Sequence, residues 1–182
     1  MIIWITWTLW AGKGTISDYL IEKKWYKHYS VSWYITKEIE KRGMEVNRDA
    51  MYQVWRDLKQ KFWADFIVKE LYKIAKQEWN NAIIESIRSP WEVDGLKELD
   101  DFKLISVDAD IQTRYDRIKL RGSAKDNVDF QTFVSNNERE RDSDSTDPTK
   151  INLSKCIALA DFKINNDWSF EELYTQIDQI LD

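Results

Sequence analysis

Glycine is scarce in this sequence: 5 of its 182 residues are glycine, whereas ordinary chains contain about 7%. Proline (2 residues) and cysteine (1 residue) are rarer still. The single cysteine, Cys156, excludes an intramolecular disulfide bond and suits a reducing compartment. Because its neighbours are apolar, we expect Cys156 to be a buried packing residue.

Long apolar runs are absent as well. No run reaches the length of a membrane-spanning helix, and the N-terminus lacks the basic region of a signal peptide. A net charge of −5 argues against a nucleic-acid-binding surface. We therefore expect a cytoplasmic protein with neither membrane nor nucleic-acid partners. It should fold as one domain over residues 1–182 and be a monomer or a homodimer.

The N-terminal segment has the order of a phosphate-binding loop. The apolar run Ile2–Ile5 predicts a buried strand, and the letters AGKGT (residues 11–15) precede a helix predicted over Ile16–Lys24. In such a loop, backbone N–H groups and a helix N-terminus point at one spot, where the lysine adds a full positive charge. A triphosphate is the ligand that suits this arrangement.

Tryptophan occupies two positions of this loop where glycine is expected. The pattern G-x-x-x-x-G-K-[ST] requires glycine at position 7, but the sequence has Trp7. Trp10 stands where loops ending in Gly-Lys-Gly-Thr usually carry glycine, and Gly14 replaces the usual serine or threonine. The change at position 14 is typical of the adenylate-kinase-like nucleotide kinases, which the loop resembles at residues 12–15.

The ten tryptophans of the chain are as unusual as its few glycines. Several lie where a helix end or a turn is predicted, namely Trp25, Trp63, Trp79 and Trp168. We hypothesise that several or all ten stand for glycine in the functional protein. UGA codons that encode glycine in the source, but were read here as tryptophan, would produce this pattern, as would deliberate mutation. The alternative is a tryptophan-rich core.

The remaining sequence alternates between apolar runs and amphipathic segments. After Ile2–Ile5, the predicted strands are His28–Ser32, Asn81–Ile87, Lys103–Val107 and Phe162–Ile164. After Ile16–Lys24, the predicted helices are Tyr34–Arg42, Asn47–Phe62, Ala64–Glu78, Ser89–Leu99, Ile111–Arg121, Phe130–Arg141, Leu153–Ala160 and Ser169–Leu181. This alternation predicts an α/β fold of three layers, with a five-stranded parallel sheet flanked by helices and right-handed crossovers.

Charged side chains follow the predicted strands at their carboxyl ends. Ligands of parallel sheets bind outside this edge, which brings together Lys13, Glu85, Arg88 and Asp108. Glu85 stands where a Walker B acid orders Mg²⁺ and its waters. The lone histidine, His28, begins the second strand and is expected to be a surface or packing residue.

With this order of elements, nearly the whole chain resembles the P-loop kinases related to adenylate kinase. These AAA-type ATPases include nucleotide kinases and dephospho-CoA-kinase-like proteins. Residues 84–92 (IESIRSPWE) resemble a strand-end segment acid-x-I-R-x-P-G-E, and residues 160–167 resemble an N-x-G loop that lines adenine. The resemblance implies a helical acceptor-binding insertion at residues 33–79 and a lid at residues 117–150, with Asp142–Lys150 as a polar loop.

The resemblance implies an enzyme that transfers the γ-phosphoryl group of ATP to a nucleotide or nucleoside-like small-molecule acceptor, with ATP and Mg²⁺ as cofactors. Lys13 would bridge the β- and γ-phosphates, Glu85 would hold Mg²⁺ through water, and two lid arginines would close over the phosphates, with Gly122 as a hinge. The expected catalytic residues are Lys13, Glu85, Arg117 and Arg121. The expected nucleotide-binding residues are Ala11, Gly12, Lys13, Gly14, Thr15, Ile16 and Asn166, and the expected substrate-binding residues are Arg88, Arg48 and Arg56.

The segment after the second strand departs from these kinases. Nucleoside-monophosphate kinases often place an aspartate and an arginine there, and dephospho-CoA kinases a catalytic aspartate, but this sequence offers Tyr34 and Thr36. A second hypothesis is therefore a non-catalytic nucleotide-binding or regulatory P-loop protein. A third, a switch-type GTPase, lacks an Asn-Lys-x-Asp guanine signature in this sequence.

Overall fold

The computed structural model describes residues 1–78, 81–99, 101–121, 128–141, 146–147 and 150–181, and of Arg48 only the backbone. Trp79, Gly122 and most of the predicted loop Asp142–Lys150 lie outside the described residues.

Strands and helices alternate along the chain as the sequence predicts. The strands are β1 (Ile2–Trp7), β2 (Lys27–Ser30), β3 (Ala82–Glu85), β4 (Phe102–Asp108) and β5 (Phe162–Asn165). The helices are α1 (Lys13–Lys24), α2 (Val31–Lys41), α3 (Arg48–Phe62), α4 (Phe66–Glu78), α5 (Pro90–Leu96), α6 (Ile111–Arg121), α7 (Phe130–Arg141), α8 (Leu153–Ala158) and α9 (Phe170–Leu181). Within the described part of the chain, no helix is long and apolar enough to cross a bilayer.

The strands form one parallel sheet in the order β2-β3-β1-β4-β5, which confirms the predicted five-stranded parallel sheet. Strand β1 is central, and its Ile5 is in register with Glu85 of β3 on one side and Ile105 of β4 on the other. The chain therefore reverses its strand order around β1. In sheets of this type, the crevice at such a switch point is where ligands bind.

Strand β1 is buried on both faces, so its side chains contribute to two hydrophobic cores. Ile2 and Trp4 pack among residues of α2, α3 and α4, whereas Ile3 and Ile5 pack among residues of α1 and α9. Each fully buried isoleucine of this strand stabilises the fold by about 1.5–3 kcal/mol. Helices therefore cover the sheet on both sides, which gives the predicted three layers.

Most predicted elements differ from the structure by one to three residues at an end. Local backbone geometry explains four of these wrong boundaries. Strand β1 runs on to Trp7 because Trp7 still pairs with Val107 of β4. Helix α1 begins at Lys13 rather than Ile16, because Gly12 takes the left-handed φ of 90° that turns the chain into the helix. Strand β2 stops at Ser30, whose hydroxyl caps α2 by accepting the N–H of Trp33. Strand β3 stops at Glu85 because Ser86 has a φ of 85°.

Candidate functional site

The loop between β1 and α1 lies at the carboxyl edge of the sheet, and its backbone is open to an anion. The N-cap of α1, Gly12, makes no side-chain capping hydrogen bond, and the first turn of α1 contains no acidic residue. Unpaired N–H groups at a helix N-terminus attract negative charge. The lysine of the loop, Lys13, is the first residue of the helix.

Asn166 holds this loop in place. Its side-chain Nδ2 donates a hydrogen bond to the carbonyl of Ala11 (2.8 Å), and its own carbonyl accepts one from Nη2 of Arg117 (2.7 Å). A Cβ atom at Gly12 would collide with the Asn166 side chain, so the close approach requires glycine there. The resemblance implied that Asn166 lines adenine; the structure places it, buried, against the phosphate loop.

Lys13, at the start of α1, and Glu85, at the end of β3, form an ion pair. Nζ of Lys13 lies 2.6 Å from Oε2 of Glu85, and Nε2 of His28 lies 3.3 Å from the same oxygen. Oε2 makes no well-aligned hydrogen bond within the described residues. Burial alone would raise the pKa of Glu85, but His28 and Lys13 outweigh it, so its pKa lies below the usual value. Glu85 is therefore ionised, and His28 lies beside the site, which its sequence position did not predict.

A cavity of about 620 Å³ opens over the loop. Its lining combines loop backbone with basic side chains from three separate elements: Trp7, Leu9, Trp10, Ala11, Gly12, Lys13, Gly14, Thr15, Arg88, Arg117 and Arg121. The structure thus brings both predicted lid arginines and the predicted substrate residue Arg88 to the phosphate loop. Nη1 of Arg117 is buried and has no hydrogen-bond partner within the described residues, which leaves a donor for an anion.

Two tryptophan rings cover the cations of this cavity. Nζ of Lys13 lies 4.6 Å and Cζ of Arg88 lies 5.3 Å from the ring centroid of Trp7. Cζ of Arg121 lies 5.2 Å from the ring centroid of Trp10. These are cation–π distances. Three of the side chains that would face phosphate face indole rings instead.

A second cavity, of about 470 Å³, lies between the helical segment after β2 and the segment after β3. Six of its thirteen lining residues are apolar or aromatic and the others are polar or charged: Val31, Ser32, Ile35, Met51, Tyr52, Trp55, Lys59, Ser86, Arg88, Ser89, Glu92, Lys150 and Ile151. Arg88 lines both cavities. Its Nη1 donates to Oε2 of Glu140 on α7 (3.1 Å).

A buried ion pair fixes the backbone of Arg88. Nζ of Lys59 on α3 lies 2.7 Å from Oε1 of Glu92 on α5, and both side chains are almost fully buried. The other carboxylate oxygen of Glu92 accepts the backbone N–H groups of Arg88 (2.9 Å) and Ser89 (3.0 Å). Glu92 is the third residue of α5 after its N-cap Ser89, so it supplies the acidic half of a capping box. The sequence did not predict its partner on α3.

Other predicted site residues lie elsewhere. The Ile16 side chain is fully buried in the core beneath α1 and does not line the cavity. Arg56 is exposed on α3 and stacks over Tyr52 (5.9 Å), so it borders the second cavity without lining it. Arg48 begins α3, and its side chain lies outside the described part of the structure.

Sequence reasoning missed the role of Arg114. It stands on α6 one turn before Arg117 but is buried rather than facing the cavity. Its guanidinium donates to the carbonyls of Ala109 (2.8 Å) and Leu9 (3.1 Å) and to Oδ1 of Asn137 (2.7 Å). It therefore ties the phosphate loop to both α6 and α7. Its spacing from Arg117 and Arg121 gave no signal that separated it from them.

Asp108 ends β4 beside the loop, and both oxygens of its carboxylate have partners. The hydroxyl of Thr8 donates to its Oδ1 (2.5 Å), and Nη1 of Arg141 lies 3.6 Å from its Oδ2. Among the described residues there is no group of three or more His, Cys, Asp or Glu side chains that could hold a metal. Glu85 is the ionised carboxylate nearest the loop lysine.

Comparison with known proteins finds similarity over most of the chain. A sequence profile of the AAA domain family matches residues 3–143. The chain is 30% identical over 174 residues to the UPF0200 protein MJ1399 of Methanocaldococcus jannaschii, covering 93% of this chain and 84% of that protein. The adenylate-kinase resemblance is thus too specific, since this relative is a UPF0200 protein.

Two solved structures share the fold. Shikimate kinase from Bacteroides thetaiotaomicron has a TM-score of 0.58 at 14% identity, covering 100% of this chain and 98% of that one. Dephospho-CoA kinase from Campylobacter jejuni has a TM-score of 0.58 at 15% identity, covering 99% of this chain and 94% of that one. At such identities the likeness shows the fold alone, which is the P-loop kinase fold that the sequence predicted.

Proposed function

We propose that this chain, which belongs to the AAA domain family and to the family of the UPF0200 protein of M. jannaschii, is an ATP-dependent kinase. It would transfer the γ-phosphoryl group of ATP to a small acceptor that is a nucleotide or resembles a nucleoside. The P-loop kinase fold and the unpaired helix N-terminus at Gly12 support nucleotide binding in general.

The observation that carries the kinase proposal is the meeting of two cavities at Arg88. One cavity lies over the phosphate loop and is lined by four basic residues, and the other combines aromatic and aliphatic residues with polar and charged ones. A kinase needs one site for the donor phosphates and another for the acceptor, arranged so that the transferred group passes between them. A cation shared by both cavities stands where that transfer would occur.

In the donor cavity, the residues present fit a triphosphate. Backbone N–H groups of residues 12–15 would cradle the phosphates, with Lys13 bridging the β- and γ-phosphates. The unpaired Nη1 of Arg117 favours an anion within reach. Arg121 would close from the same helix, within a lid proposed at residues 117–150. Bound Mg²⁺ would supply charge neutralisation to the phosphates, and Glu85 would orient its waters.

The second cavity fits a flat acceptor that carries a negative charge. Tyr52 and Trp55 offer aromatic faces on which a nucleobase can stack. Arg88 offers a guanidinium to an acceptor phosphate. Helices α2 and α3 supply seven of the thirteen lining residues, which supports a helical acceptor-binding insertion at residues 33–79. Arg48 and Arg56, both on α3, would assist from the rim.

The reaction would be an in-line displacement. An acceptor oxygen would bond to the γ-phosphorus while the bond from that phosphorus to the bridging oxygen of ADP breaks. No covalent nucleophile on the protein is needed, because such transfers depend on positioning and on cations that offset charge. Arg88 would hold the transferred group from the acceptor side and Lys13 from the donor side.

One observation favours a non-catalytic nucleotide-binding protein instead. Indole rings cover Lys13, Arg88 and Arg121. In addition, Glu92, the one carboxylate that lines the second cavity among the described residues, is held by Lys59. A protein of this kind would bind nucleotide without turnover.

A coupled assay with nucleoside monophosphates and dephospho-CoA as acceptors separates the two proposals. The kinase proposal predicts turnover that Lys13→Ala abolishes. Lys23→Ala provides the matched control, because Lys23 is an exposed lysine at the far end of the same helix. Turnover that survives Lys13→Ala would contradict the kinase proposal. Nucleotide binding without turnover on any acceptor would favour the regulatory one.

A further inference from the structure

Three of the described tryptophans adopt backbone conformations that are typical of glycine. Within the described residues, the non-glycine residues with left-handed φ are Trp10 (65°), Trp25 (60°), Trp63 (90°) and Ser86 (85°). Three of the nine described tryptophans are thus left-handed, beside two of the four described glycines. For a bulky side chain, such a φ is a genuine outlier.

Trp25 and Trp63 show this most clearly because both are exposed at helix ends. Trp25 follows the basic last turn of α1 with φ 60° and ψ 35°, the left-handed residue after a helix that is usually glycine. Trp63 follows α3 with φ 90° and ψ 164°, a region that is essentially accessible to glycine alone. Their side chains are 78% and 57% exposed, so burial does not compensate for the strain.

Trp7 and Trp10 flank the phosphate loop, and only Trp10 repeats this pattern. Trp10 has a left-handed φ, whereas Trp7 lies in the extended end of β1. The ring of Trp7 fills space instead: it lies beside Lys13 and Arg88, where an anion would bind. Phosphate oxygens must approach such cations to about 2.7–2.9 Å, and the indole ring takes up the space on one side of both cations.

Trp4 shows a related misfit in the core. It is fully buried in β1, and its indole Nε1 has no hydrogen-bond partner within the described residues. Buried tryptophan N–H groups usually find a partner.

We propose that the functional protein carries glycine at positions 7, 10, 25 and 63. Backbone conformation carries this inference at positions 10, 25 and 63, and the filled phosphate cavity carries it at position 7. Glycine at 7 and 10 would uncover Lys13, Arg88 and Arg121 for a polyphosphate. The substitutions at 25 and 63 lie outside the binding site, so their test does not depend on the proposed kinase function.

Thermal unfolding of single variants of the full chain tests the conformational part. Trp25→Gly and Trp63→Gly should each raise the melting temperature, by about 2–6 °C, because strain is removed. Trp168→Gly is the matched control: Trp168 is similarly exposed (64%) but has no left-handed φ, so glycine there should leave the melting temperature unchanged or lower it. If glycine at 25 and 63 lowers the melting temperature as it does at 168, the proposal is overturned.

Peptide mass spectrometry of the protein isolated from its own source tests the proposal directly. The peptides that contain positions 7, 10, 25 and 63 should have the masses of glycine-containing peptides. Tryptophan at these positions in that protein would overturn the proposal whatever the variants do.

Discussion

Replacing Lys59 by methionine would break an ion pair that lies almost wholly inside the protein. The Lys59 and Glu92 side chains are 2% and 3% exposed, and their charged atoms are 2.7 Å apart. Methionine keeps most of the volume of the lysine stem but removes the cation. Glu92 would then be a buried carboxylate whose remaining partners are the two backbone N–H groups of Arg88 and Ser89.

Removing one partner of a buried ion pair costs about 3–5 kcal/mol, because the other charge is left uncompensated. Two backbone hydrogen bonds to Glu92 persist, so we expect the lower end, about 3 kcal/mol. For a protein of this size, that loss lowers the melting temperature by roughly 6–12 °C. The double variant Lys59→Met, Glu92→Gln should recover part of the loss, since no unpaired charge remains.

Urea unfolding measures the free energy of unfolding of each variant. Lys37→Met is the control, because Lys37 pairs with Glu40 at a similar 2.8 Å but both side chains are half exposed. An exposed pair contributes about 0–1 kcal/mol. If Lys59→Met costs no more than Lys37→Met, or if the double variant is the least stable, the buried ion pair does not support the site as described.

Three further predictions concern single groups. The pKa of Glu85 is lowered in the folded protein, so its contribution to stability is present at neutral pH and is lost as pH falls through that lowered pKa. Glu85→Gln should therefore flatten the acid limb of a profile of unfolding free energy against pH. An unchanged limb would contradict the ion pair. Burial raises the pKa of the Cys156 thiol far above its usual value, so iodoacetamide should label Cys156 only as the protein unfolds, and rapid labelling of the native protein would contradict the buried position. Arg114→Met leaves two buried acceptors, the Ala109 carbonyl and Oδ1 of Asn137, without their donor, so it should cost about 3 kcal/mol or more in urea unfolding. A loss below about 1 kcal/mol would contradict its role in tying the loop to α6 and α7.

Periodic segments could be predicted from the sequence with accuracy. Helices α6 and α7 have the predicted bounds, Ile111–Arg121 and Phe130–Arg141. Local patterns suffice there, because the 3.6-residue repeat and the flanking polar residues lie within the segment itself. Strand ends were less predictable, since pairing with a neighbouring strand extends β1 to Trp7 and a single left-handed residue ends β3.

The candidate site was likewise predictable only in part from the sequence. Glu85 ends β3, and Lys13 and Arg88 lie in or just after the segments that follow β1 and β3, so the edge of a parallel sheet brings them together. The contacts of Glu85 with His28 and of Glu92 with Lys59 join different elements. Such pairs depend on how helices and strands pack, which no local pattern records. The second cavity could not be predicted for the same reason, because α2, α3 and the segment after β3 each supply part of it.

Calorimetric titration with Mg·ATP tests the central claim, that the loop at residues 11–15 is a nucleotide phosphate site, most directly. It should compare the chain as written with the double variant Trp7→Gly, Trp10→Gly. We expect the glycine variant to bind at least tenfold more tightly, because Lys13, Arg88 and Arg121 are freed from the indole rings. Failure of both proteins to bind Mg·ATP, while both remain folded, would contradict the assignment of this loop.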